Sequence, residues 1–116
     1  MPAQFQGLFS PLALRSVTGV TLANPVLFYE IGDPLERPAR IIKIDNLTNE
    51  NVFISMNGVQ AWTVVPAGGF LLLDCSTNKT SVEDFFVSEG AQFWANAAVA
   101  PTSGSVYLTA IGSRDM

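Results

Sequence analysis

Apolar side chains in this chain recur at every second residue, and no stretch of ten or more carries them at helical spacing. Val52, Ile54 and Met56 alternate with Phe53, Ser55 and Asn57, and Val106, Leu108 and Ala110 alternate with Tyr107, Thr109 and Ile111. Phe93, Ala95 and Ala97 oppose Trp94 and Asn96 in the same way. A period of two is that of an extended strand, whose successive side chains point to opposite faces. Ile41-Ile42-Lys43-Ile44 and Phe70-Leu71-Leu72-Leu73 are apolar on both faces in part. Such runs suit strands whose second face is covered by another segment or another subunit.

Turn signals cut these runs at short intervals: Gly32-Asp33-Pro34, residues 46–51, Asn57-Gly58, Pro66-Ala67-Gly68-Gly69, residues 76–80, Glu89-Gly90 and Pro101-Thr102-Ser103-Gly104. Asn57-Gly58 lies between two apolar runs and marks a hairpin, because both residue types tolerate positive φ. Residues 81–86 allow one helical turn with Ser81 as its cap, and no more. The pattern predicts eight strands, over residues 17–22, 25–31, 39–46, 51–57, 60–65, 69–75, 91–99 and 104–112. That many short antiparallel strands in 116 residues give an all-β fold, a single antiparallel β-sandwich, most simply a jelly roll.

The sandwich is expected over residues 26–116, preceded by an irregular N-terminal arm over 1–25. Phe5, Leu8, Phe9, Leu12 and Leu14 make the arm apolar, while Gly7, Pro11 and Pro25 interrupt any regular element. Two readings stand for it: it wraps its own sandwich, or it docks on a neighbouring subunit.

Composition excludes several kinds of chemistry. The chain has no histidine and one cysteine, Cys75, which removes Ser-His-Asp and Cys-His catalysis, His-ligated zinc and any intramolecular disulfide. Cys75 follows Asp74, whose charge would raise a thiol pKa, and it reads as a small apolar packing residue. Glu83 and Asp84 are neighbours and would point to opposite faces of an extended chain. Asp74 and Glu89 read as solvated acids. Asp45-Asn46-Leu47-Thr48-Asn49-Glu50-Asn51 is rich in oxygen ligands but lacks the alternation and central glycine of a calcium loop. It reads as a hydrogen-bonded polar turn. The sequons at Asn46 and Asn78 read as turn chemistry too. No phosphate loop occurs, and no catalytic, cofactor-binding or metal site is expected. Six basic residues against ten acidic ones leave a net charge of −4, which disfavours nucleic acid as a partner. The start lacks the basic and apolar regions of a signal peptide, and no membrane association is expected.

Trp62, Trp94, Phe53 and Tyr107 fall where they face outward while their neighbours pack inward. Such a row can stack on sugar rings or anchor a protein contact, and protein contact is favoured because the strands supply few polar neighbours.

Several segments resemble small virion structural proteins of tailed bacteriophages. They are Arg40-Ile41-Ile42-Lys43-Ile44-Asp45-Asn46-Leu47-Thr48, Val52-Phe53-Ile54-Ser55-Met56-Asn57-Gly58-Val59, Val65-Pro66-Ala67-Gly68-Gly69-Phe70-Leu71-Leu72-Leu73-Asp74, Thr77-Asn78-Lys79 and Pro101-Thr102-Ser103-Gly104-Ser105-Val106-Tyr107-Leu108. The resemblance covers residues 38–112. Capsid cement or decoration proteins are the nearest in size and character. The resemblance implies a non-enzymatic β-sandwich or jelly-roll subunit on the capsid surface, made in the bacterial cytoplasm. Its implied partners are the major capsid protein and further copies of itself, as a dimer or trimer. The expected contacts are Phe5, Leu8, Phe9 and Leu12 in the arm and Trp62 and Trp94 between subunits. A neck or tail component and a carbohydrate-binding module are the alternative readings.

Overall fold

In the computed structural model, residues 10–74 and 87–112 are described. Among them the chain forms strands β1 (Ser10–Pro11), β2 (Arg15–Thr18), β3 (Tyr29–Glu30), β4 (Ile41–Asn46), β5 (Val52–Ser55), β6 (Thr63–Val65), β7 (Phe70–Asp74), β8 (Trp94–Asn96) and β9 (Ser105–Gly112). A single turn of 3-10 helix, Gly19–Thr21, follows β2. One sheet runs β2-β9-β4-β7, with β1 beside β2 along the same flank of β9; the other runs β3-β8-β5-β6. All the pairings are antiparallel, and the two sheets pack face to face as a β-sandwich. From β2 onward every connection passes from one sheet to the other except the β5–β6 hairpin.

The alternation in sequence becomes the core directly. Ile42, Ile44, Val106, Leu108 and Ala110 line the inner face of the first sheet, and Val52, Ile54, Val65, Phe93 and Ala95 that of the second. All ten are exposed by 2% or less. Each of the larger side chains contributes about 1.5–3 kcal/mol by leaving water. Leu71 and Leu73 of β7 pack against the same core, while Phe70 and Leu72 point out.

The strands are shorter than the alternation suggests, and hydrogen bonds outside the ladders, from side chains and backbone, mark where they stop. Residues 25–28 were expected to extend β3, but Asn24 folds them into a turn. Its Oδ1 accepts the Val26 N–H at 2.9 Å, and its carbonyl accepts that of Leu27 at 3.1 Å. The Asn96 amide then bridges to the Pro25 and Leu27 carbonyls at 2.8 and 2.6 Å, which ends β8 as a ladder. The strand expected over 17–22 starts earlier, at Arg15, and ends at Thr18. There the Gly19 N–H donates to Gly104 O at 2.8 Å, and the chain turns away. Within the stretch read as irregular, residues 10–18 instead hold β1 and β2, both paired with β9.

Candidate functional site

Two buried polar side chains hold the loops that precede and follow β4. Asn46 ends the strand and is fully buried. Its Nδ2 donates to Glu50 O at 2.8 Å and to Val65 O at 2.9 Å, while its Oδ1 accepts from the Thr48 N–H at 3.0 Å and the Thr48 hydroxyl at 2.7 Å. All four hydrogen-bonding positions of the amide are therefore filled. Asn49 and Thr102 exchange two further bonds across the neighbouring loops. The oxygen-rich segment 45–51 is thus a hydrogen-bonded turn, and the first sequon asparagine lies inside the protein.

The loop before β4 is held by a charge. Arg15 is buried, and its guanidinium donates to the carbonyls of Asp33 at 2.7 Å and Pro34 at 3.0 Å, to that of Ala13, and to the Glu36 carboxylate. The Ala13 N–H donates to the other Glu36 oxygen at 3.2 Å. The bond from Arg15 is the main reason the Glu36 carboxyl falls from its ordinary 4.5 to about 2. Gly32 makes room for this arrangement at φ +67°, since a Cβ there would sit 2.7 Å from the Arg15 Cβ.

The outer face of the second sheet carries the aromatics. Ser55 pairs with Trp94 on one side, and the Trp62 N–H donates to Ile54 O on the other, so the register sets both tryptophans on this face flanking Ser55. Trp94 is half-buried and lies over the turn at Gly58, where a Cβ would meet its ring at 3.0 Å. Trp62 is 47% exposed. The Asn57-Gly58 hairpin signal is realised as a loop over residues 56–62, in which Gly58 alone takes positive φ, at +76°. Asn57 acts through its side chain: its Oδ1 accepts the Val59 and Gln60 N–H groups at 2.9 and 3.0 Å. The Ser55 hydroxyl oxygen accepts those of Asn57 and Gly58 at 3.2 and 3.0 Å. The loop encloses a shallow depression lined by Met56, Asn57, Gln60, Ala61 and Trp62.

The outer face of the first sheet is apolar at its β7 edge. Phe70 is 61% and Leu72 53% exposed. Lys43 lies 4.8 Å from the centre of the Phe70 ring and 3.5 Å from Asp45. Tyr107 is half-buried on the same face, beside Asp45.

The expected contact residues therefore separate. Leu12 is 8% exposed and packs within its own core, its N–H donating to Ala110 O at 3.0 Å, so it wraps its own sandwich and leaves the set of candidate contacts. Trp94 is largely spent on the Gly58 turn, whereas Trp62 stays open. Phe5, Leu8 and Phe9 lie outside the described residues, as do Cys75, Asn78, Ser81, Glu83 and Asp84. Asp74 and Glu89 are on the surface. Among the described residues no three acidic or thiol side chains gather as a metal site would need, and no helix is long and apolar enough to cross a membrane.

Two features escaped the sequence reading. Asn57 and Gln60 sit within five residues of Trp62 and supply the polar neighbours the aromatic row was thought to lack; their spacing was the available signal. Arg15 and Glu36 are separated by 21 residues with no motif between them. Comparison of the chain with family models, curated proteins and solved structures finds no match.

Proposed function

We propose that this chain is a non-enzymatic structural subunit of a bacteriophage particle. Its role is that of a cement or decoration protein, bound outside the shell and bridging neighbouring capsid subunits as a dimer or trimer. The observation that carries this reading is the apolar β7 edge of the first sheet's outer face, where Phe70 is 61% and Leu72 53% exposed. A sandwich dressed in this way can lie against a neighbour, and rupture of the shell must then also break the bridging contacts. The strand order supports the jelly-roll form of the fold: eight strand positions form two four-membered sheets, and the chain crosses between them at all but one connection. The resemblance over residues 38–112 points the same way.

The deciding experiment is the copy number of the chain per purified virion, measured by mass spectrometry against the major capsid protein. A number comparable to the capsid protein is expected. A few dozen copies or fewer would place the protein at the neck or tail instead, and absence from the particle would end the virion reading.

A further inference from the structure

We infer that the loop over residues 56–62 is a binding site for a neutral pyranose sugar, with the Trp62 indole as its stacking platform and the Asn57 and Gln60 amides as its hydrogen-bonding groups. Three observations converge on this depression. Its lining combines an exposed aromatic ring with two primary amides and contains no charged side chain. The C–H face of a gluco-configured ring is apolar and stacks on an indole, while its rim of hydroxyls both donates and accepts, which is what an amide also does. A charged ligand would find no counter-ion here.

The polar groups are also free to act. The Asn57 Oδ1 is occupied by the loop's own N–H groups, but neither its Nδ2 nor the Gln60 side-chain amide has a partner among the described residues. Finally, the loop is built before any ligand arrives. Ser55 and Asn57 between them tie four backbone N–H groups, and Gly58 is seated on the Trp94 ring. Holding the donors and the platform in place reduces the ordering cost that otherwise dominates weak sugar binding.

The inference does not depend on the virion role, whose copy number is measured without sugar. Its test is calorimetric titration of the full chain with cellohexaose, chitohexaose and maltohexaose, followed in parallel by tryptophan emission. Saturable binding of at least one is expected, with quenching. Trp62→Ala should weaken it at least about tenfold and Gln60→Ala several-fold, while Leu72→Ser on the other sheet leaves it unchanged. The Gln60 side chain makes no hydrogen bond among the described residues, so its variant keeps the test interpretable if Trp62→Ala unfolds. No saturable binding of any of the three at about 10 mM would overturn the inference, as would binding that survives both loop substitutions. A Trp62-dependent dimer in sedimentation would do so too, because the platform would then be covered by a second copy.

Discussion

At one end of β4 the loops are gathered by the neutral amide of Asn46, whereas the loop leading into its other end is gathered by the charged guanidinium of Arg15. Both side chains are buried and both make four hydrogen bonds, yet they work over different distances in the chain. Three of the four bonds of Asn46 reach no further than residue 50, and the fourth reaches Val65. The longer bonds of Arg15 span 18 to 21 residues, and one of them ends on a carboxylate. A neutral local cluster forms with its turn and is indifferent to pH. A charged long-range cluster ties β2 to the loop before β4, and it carries a titratable group.

The comparison is broken most severely at the Asn46 end, by a residue that has no side chain. Gly104 holds φ +81°, and a Cβ there would lie 1.9 Å from Leu47 O. Gly104→Ala therefore combines a strained conformation with a backbone collision, and it is expected to cost more than about 4 kcal/mol in denaturant unfolding. In the other cluster Arg15→Met should cost about 3 kcal/mol, because it leaves three carbonyls and a carboxylate without their donor. If Arg15→Met proved neutral, the guanidinium would be a passenger and packing of its stem would suffice. Asn46→Ala should cost about 2 kcal/mol, with a loss that stays the same from pH 3 to pH 8.

How far the sequence announces these features follows from their range. The alternations at 52–55 and 106–111 became β5 and β9 with Val52, Ile54, Val106, Leu108 and Ala110 inward, because burial of one face locks a strand's register, whereas Met56 falls beyond β5 and is 43% exposed. The Asn46 turn was legible as well, since its donors and acceptors are near neighbours. The limits of β3 and β8 were not: they depend on Asn96 reaching Pro25 and Leu27, about 70 residues away. The Arg15–Glu36 pair is hidden for the same reason. At the surface, Phe70-Leu71-Leu72-Leu73 was apolar on both faces, and the outward half of that pattern is what Phe70 and Leu72 display. Trp62 and Trp94 looked alike in sequence, and only the turn at Gly58 distinguishes the half-covered ring from the open one.

The smallest effect sharpens the comparison most, because only one of the two clusters can respond to protons. Glu36 is held at about 2 in the fold against 4.5 ordinarily, so folding favours its ionised form. The stability it adds is fully present above pH 4.5 and is lost as the pH falls from there toward 2. Because the Glu36 side chain is 45% exposed, solvent screening cuts that contribution to about 1 kcal/mol. Glu36→Gln should therefore lower stability by about that amount at pH 7 and by almost nothing near pH 2. The difference between the two unfolding curves should close across the window where the free carboxyl takes up its proton. A constant difference at every pH would mean that Glu36 acts by shape alone, and the loops before and after β4 would then be held by the same kind of bond.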